Sequence, residues 1–136
     1  MIDFFVIGTP GAQGSKRHVG NGIMIESSKK CKPWREAVKW AFHEKYGTLE
    51  KPVVSGPVKL CVTFYFHRPK TVKREWPATA PDIDKVIRAT ADALTQAGAW
   101  EDDSRVVALE CFKEYAAGSI SSGAHIKISP MLSLSS

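Results

Sequence analysis

Apolar and polar positions follow two different rhythms along this chain. Ile2–Ile7 is a β-branched and aromatic run closed by Gly8-Thr9-Pro10-Gly11, which predicts a strand and its turn. Val58, Leu60, Val62, Phe64 and Phe66 alternate with Lys59, Cys61, Thr63, Tyr65 and His67, so a long strand with one apolar and one mixed face is expected there. Val106–Tyr115 and His125–Ile128 read as the last strands, joined by the Gly/Ser-rich stretch Ala116–Gly123. Gly22–Glu26 reads as a short strand paired with the first. Elsewhere the period is three to four. Trp34, Ala37, Val38, Ala41, Phe42 and Lys45 place a helix over Pro33–Tyr46, opened by its proline and closed by Gly47. Ile83, Ile87, Ala91 and Leu94 form the expected inner stripe of a second helix, Asp82–Ala97, stopped by Gly98. Between these lie a basic loop (Ala12–Asn21), a basic turn (Ser27–Lys32), a linker (Thr48–Gly56), an exposed loop (Arg68–Ala80) and a turn (Trp100–Asp103). The tail Ser129–Ser136 is expected to fray. With no repeat and no second core, residues 1–136 read as one α+β domain, a single mixed sheet with two main helices packed on it.

Length and composition agree. The chain has 136 residues, 43% hydrophobic and 24% charged, values of an ordinary globular domain large enough to bury a core unaided. No apolar run is long enough to span a bilayer, and the N-terminus has no signal-peptide pattern. Cys31, Cys61 and Cys111 are odd in number and widely spaced, which fits buried thiols in a reducing cytosol.

Charge is unevenly distributed. Residues 1–80 hold 14 basic and 6 acidic side chains, whereas residues 81–136 hold 5 and 8. A basic first part fits a polyanion, most often nucleic acid, although a merely soluble basic protein has the same composition. Within the acidic part, Asp82, Asp84, Asp92, Glu101, Asp102 and Asp103 face only Lys85 and Arg88. Two carboxylates about 4 Å apart repel by about 4 kcal/mol at an effective dielectric of 20, and a divalent cation is the usual offset.

Asp82 and Asp84 straddle a helix start, where either serves equally well as a cap. A shared cation needs them to meet the Asp102-Asp103 pair. If the strand after Asp103 runs antiparallel to the helix, it starts at the helix's far end, and then only a returning loop or a symmetric dimer unites the acids. Arg88 sits four residues from both Asp84 and Asp92, a spacing for helix-face ion pairs as much as for catalysis. Asp92 reads as structural. The four histidines lack metal spacing, no P-loop is present, and Gly11–Gly14 lacks a dinucleotide context, so no organic cofactor is expected. Trp34 and Trp100 are expected to pack. Trp40 reads as outward-facing, a candidate dimer contact. Trp76 lies among Arg68, Lys70, Lys73 and Arg74, where it either anchors the loop or stacks on an unpaired base.

The string PDIDKVIRATADALTQAGAWEDDSRVV resembles the signature of the RusA family of Holliday junction resolvases: a D-x-D at a helix start, a helix ending D-A-L, a small Gly turn, and D-D ahead of a strand. GTPGAQGSKR and KPWREAV are similar to that family's first basic loop and first helix. The resemblance implies a RusA-like fold in a small homodimeric, cytoplasmic endonuclease of bacterial or bacteriophage origin. It would serve DNA recombination and repair by cutting four-way junctions with paired symmetric nicks. It implies Mg²⁺, with Mn²⁺ as a substitute, on Asp82, Asp84 and Asp103, with Asp102 nearby. Arg88 stands where the family has a functional lysine, and Lys85 where many members have asparagine. Lys16, Arg17, Lys29, Lys30, Arg68, Lys70, Lys73, Arg74 and Trp76 are the expected DNA contacts. Two alternatives stay open: a non-catalytic nucleic-acid-binding module, and a nuclease acting on flaps or forks.

Overall fold

A computed structural model describes residues 1–14, 16–18, 24–26, 29–48 and 52–131, with 16–18 and 24–26 given by their backbone alone. The strands are β1 (Ile2–Ile7), β2 (Lys16–His18), β3 (Met24–Glu26), β4 (Val58–Phe66), β5 (Val106–Tyr115) and β6 (Gly123–Pro130). The helices are α1 (Cys31–Tyr46) and α2 (Ile83–Ala97), and a single 3₁₀ turn spans Asp103–Arg105. Four strands form one sheet in the order β1-β6-β4-β5, antiparallel except for the parallel pair β4 and β5. This is the expected α+β architecture, two helices on one mixed sheet.

The alternation in the strands sets the layers. Ile2, Phe4 and Val6 of β1, Val58, Leu60, Val62 and Phe64 of β4, and Ala124, Ile126 and Ile128 of β6 are all buried. They meet Trp34, Val38 and Phe42 of α1 and the buried side of α2 in one core. Trp100 is buried with them, so Trp34 and Trp100 pack as expected. One hydrogen bond inside this core ties the helices together: the Trp34 indole N–H donates to Thr90 Oγ1 at 3.0 Å, and the Thr90 hydroxyl donates to the Val86 carbonyl at 2.8 Å.

Several expectations need correction. The second short strand does not pair with β1. Instead β3 pairs with β2, forming a separate antiparallel hairpin that includes Lys16–His18, read above as loop. One edge of β1 is taken by β6, and on the other the Asp3 backbone is engaged by α1: its N–H donates to Tyr46 Oη at 2.8 Å and its carbonyl accepts from Lys45 Nζ. Helix α1 begins at Cys31, two residues before Pro33. Strand β6 runs from Gly123 to Pro130, so Ser129 and Pro130 belong to the sheet, and the Met131 N–H is held by the Pro57 carbonyl at 3.0 Å. Residues 132–136 of the expected frayed tail lie outside the described residues. The inner stripe of α2 is Val86, Ala89, Thr90, Ala93, Leu94 and Ala97, while Ile83 is exposed and Ile87 and Ala91 are half-buried. Small residues on the stripe let two helices approach closely, so the alanines won the inner position over the larger isoleucines. Of the three cysteines, Cys31 is buried and Cys61 and Cys111 are half-buried.

Candidate metal and nucleic-acid site

Helix α2 carries the acids, and its first turn is held from two sides. Lys113, on β5, donates to the carbonyls of Thr79 at 2.7 Å and Pro81 at 2.8 Å. The Gln13 N–H, from the loop after β1, donates to the Lys85 carbonyl at 3.0 Å. Asp82 occupies the N-cap position, with extended backbone, and its carbonyl accepts from the N–H groups of Lys85 and Val86 at 3.1 Å each. Its carboxylate makes no capping hydrogen bond and is 64% exposed, with Lys85 Nζ 3.7 Å away. Asp84 is exposed on the same turn. Among the described residues neither Asp84 nor Arg88 takes part in an ion pair, so the helix-face pairing considered for Arg88 is not formed.

The Lys113 contacts also fix direction. They put the end of β5 at the start of α2, so the beginning of β5 lies toward the helix's other end. There Asp103 accepts a hydrogen bond from Thr95, whose hydroxyl oxygen also receives the Trp100 indole N–H at 2.6 Å. The Asp103 carboxyl shares a shallow pocket with Asp92. Burial raises the Asp92 pKa above its ordinary 3.8, and the neighbouring Asp103 carboxyl raises it further, against smaller opposing effects of Arg35 and Gln13. Asp102 takes a different role. It caps the 3₁₀ turn, its carboxylate accepting from the Ser104 N–H at 2.7 Å and from the Ser104 hydroxyl, and those bonds hold its pKa below 3.8.

The acids therefore fall into two groups in one protomer. Asp82 and Asp84 stand at the start of α2, and Asp92 and Asp103 toward its end. Eight residues of helix separate Asp84 from Asp92, about 12 Å along the axis. Among the described residues, no three His, Cys, Asp or Glu side chains gather at one point in a single protomer. The donor set itself fits a hard divalent cation, since it is carboxylate throughout, with no sulfur or imidazole.

The basic residues also divide. A cleft of about 450 Å³ opens beside Pro81 and is lined by Lys30, His67, Arg74, Lys113 and Tyr115 among others. Arg68 donates to the carbonyls of Val72 and Arg74 at 3.1 and 3.0 Å, and Arg74 donates to Tyr115 Oη at 2.9 Å. These two arginines brace the loop. Lys29, Lys30, Lys70 and Lys73 are exposed, whereas the side chains of Lys16 and Arg17 lie outside the described residues. Trp76 is 57% exposed, and it is Pro77 that is buried under the loop. Lys113 and Thr95 were missed by sequence reasoning. A lysine in an alternating strand, or a threonine within a helix, gives no local sign of the distant groups it will meet.

Comparison with known proteins adds the following. The model of the family Endodeoxyribonuclease RusA matches residues 8–129. The chain is 31% identical over 128 residues to the uncharacterized protein YqaN of Bacillus subtilis (strain 168), covering 84% of this chain and 87% of that protein. It is 39% identical over 59 residues to the crossover junction endodeoxyribonuclease rusA of Lactococcus phage r1t, a match covering 42% of this chain and 44% of the phage protein.

Proposed function

The chain belongs to the RusA endodeoxyribonuclease family, and from that premise we propose that it is a divalent-metal-dependent, structure-selective nuclease that resolves four-way DNA junctions by paired nicks. The observation that carries this reading is Asp82. A carboxylate at an N-cap position usually caps; this one does not, and it stands exposed on the same turn as Asp84, directly after Pro81, which lines a basic cleft. Phage rusA, named a crossover junction enzyme, supports the choice of substrate.

Asp82 and Asp84, with Asp103 supplied by the second copy of a dimer, would hold Mg²⁺, or Mn²⁺ in its place. When bound, the ion supplies charge that polarises the scissile phosphodiester and stabilises an in-line displacement. The chain's own groups position the DNA. Lys113 fixes the turn that enters α2, and with it the two aspartates. Lys85 moderates the repulsion between them, and Arg88, exposed on the next turn, is placed to steady the phosphate oxygens. Lys29, Lys30, Lys70 and Lys73 contact flanking phosphates, joined by Lys16 and Arg17, and Trp76 offers an open ring to an unstacked base at the branch point. Two nicks related by the junction's symmetry call for two copies of the site, hence a homodimer.

Asp82→Asn is expected to lower Mg²⁺-dependent cleavage of a four-way junction by at least about 100-fold while junction binding in the absence of metal stays equal or tightens. A variant that cuts at the wild-type rate removes the assignment. One observation favours a second reading, a binding module without chemistry: Asp103 is remote from Asp82 within a protomer. A wild-type chain that binds junctions yet nicks none with Mg²⁺ or Mn²⁺ selects it. Rates on linear duplex, flap and fork substrates, measured alongside, set the branch preference.

A further inference from the structure

We propose that the outer edge of β1, with α1 beside it, captures an extended peptide of a partner protein, one that carries an apolar side chain flanked by lysine or arginine. The peptide adds to β1 as a further strand and seats its apolar side chain against Trp40. This goes beyond the nuclease reading and does not depend on it.

Strand β1 ends the sheet and has β6 on one side only. The Asp3 N–H and carbonyl point away from β6, to where Tyr46 and Lys45 meet them. Alternation along the strand gives the backbone groups of Phe5 and Ile7 the same outward direction. Helix α1 runs back alongside this edge. Tyr46 meets Asp3 at one end, and at the other a side chain at Gly8 would touch Trp34 and Ala37. Between helix and edge opens a groove of about 510 Å³, lined by Phe5 and Ile7 of β1 and by Glu36, Ala37, Trp40 and Glu44 of α1 among others. In such a layout an added strand takes main-chain hydrogen bonds from the edge and sets alternate side chains into the groove.

The lining says what fits. Trp40 faces outward as expected and is 73% exposed, and Ile7 is 72% exposed, so an apolar anchor stands uncovered well away from the acids of α2. Glu36, Trp40 and Glu44 follow one another at intervals of four, which puts the ring between two carboxylates on one face of the helix. Glu36 meets Lys39 at 3.0 Å, whereas Glu44 is exposed and takes part in no ion pair among the described residues. No lysine or arginine lines the groove, in a chain with 19 of them against 14 acids. The local charge therefore disfavours nucleic acid and favours a cationic peptide. A second copy fits poorly. A twofold axis through the groove would bring the carboxylates of one copy against those of the other, and the part of β1 beyond the Tyr46 contact is short, Phe5–Ile7.

The test uses the full chain and fluorescein-labelled hexapeptides that alternate lysine with leucine or valine, read by fluorescence anisotropy beside versions with glutamate for lysine. The lysine peptides should bind at least about 10-fold more tightly than the glutamate ones, and Trp40→Ala should lower their affinity at least about 10-fold with an unchanged circular dichroism spectrum. Glu44→Lys should lower it about threefold. Backbone N-methylation leaves the protein untouched: methyl groups on one alternate set of peptide residues should abolish binding, and on the other set leave it, because every second N–H faces β1. Equal binding of lysine and glutamate peptides, wild-type affinity in Trp40→Ala, or equal tolerance of both methylated sets overturns the proposal. So does a Trp40→Ala chain that falls from the mass of two chains to one, which gives the groove to a second copy, or one that loses junction affinity, which gives it to nucleic acid. Junction nicking by Trp40→Ala is expected at the wild-type rate, so a wild type that nicks nothing ends the nuclease reading and leaves the peptide measurements to decide this one.

Discussion

A methyl group at Gly123 would lie 1.8 Å from the Val6 carbonyl oxygen, at the last pair of the β1–β6 ladder. Backbone cannot yield there without breaking the pair, and the glycine's φ of 151° disfavours a side chain as well. Gly123→Ala is therefore expected to lose about 2–4 kcal/mol of stability, read from the midpoint of urea unfolding at constant slope. The same ladder carries a carboxylate–imidazole contact. Asp3 Oδ1 lies 2.6 Å from His125 Nε2, and that hydrogen bond holds the Asp3 pKa below 3.8, with lesser charge effects of His125, Lys127 and Lys45. A carboxylate whose pKa is lowered by folding contributes stability above its unfolded value, and loses it as pH falls through the folded one. Asp3→Asn should thus lower the melting temperature at pH 5–6, by a degree or two given the pair's exposure to solvent, and make no difference near pH 2. Of this, the glycine and the acids were visible as residue types. Their partners were not, since Val6 and Gly123, or Asp3 and His125, are brought together only by strand pairing.

At the scale of elements, the contact between α1 and α2 turns on Trp34 and Thr90. Thr90→Val removes the acceptor and leaves the indole N–H of a fully buried tryptophan unsatisfied, an expected loss of about 1–3 kcal/mol. A double-mutant cycle with Trp34→Phe should recover part of it, because both polar groups are then gone. The existence of both helices was legible from their period. Which stripe of α2 faces inward was not. Ile83, Ile87 and Ala91 and the neighbouring stripe Val86, Ala89, Ala93 and Ala97 are both apolar, and the choice between them was made by how closely α1 could approach. The short strands show a similar limit. A short strand over Gly22–Glu26 was legible, but its partner was settled by the fact that β1 already had one edge in β6 and the other against α1.

For the whole molecule, the excess of positive charge in residues 1–80 bears on association more than on folding. Junction affinity is expected to fall linearly with salt on logarithmic axes. Lys73→Glu, on the exposed loop, should weaken binding at low salt and reduce the slope by about one, as measured by fluorescence anisotropy across a salt titration. Arg68→Ala should behave differently. Its guanidinium braces the loop through the Val72 and Arg74 carbonyls, so the loss should come with greater protease sensitivity between residues 68 and 81.

The sequence by itself determined the α+β class, the main strands and helices, the basic and acidic halves, and the run of aspartates that resembles RusA. All of these are carried by local periodicity, composition or a contiguous string. Only the tertiary structure decided that β5 runs antiparallel to α2, that Asp103 consequently lies with Asp92 and Thr95 in its own protomer, and that the ten-residue β5 is an edge strand of the sheet. Direction and pairing belong to contacts between distant segments. A residue's neighbours in the chain set its propensity, but which end of a helix a strand begins at is fixed by the packing of the sheet beneath it.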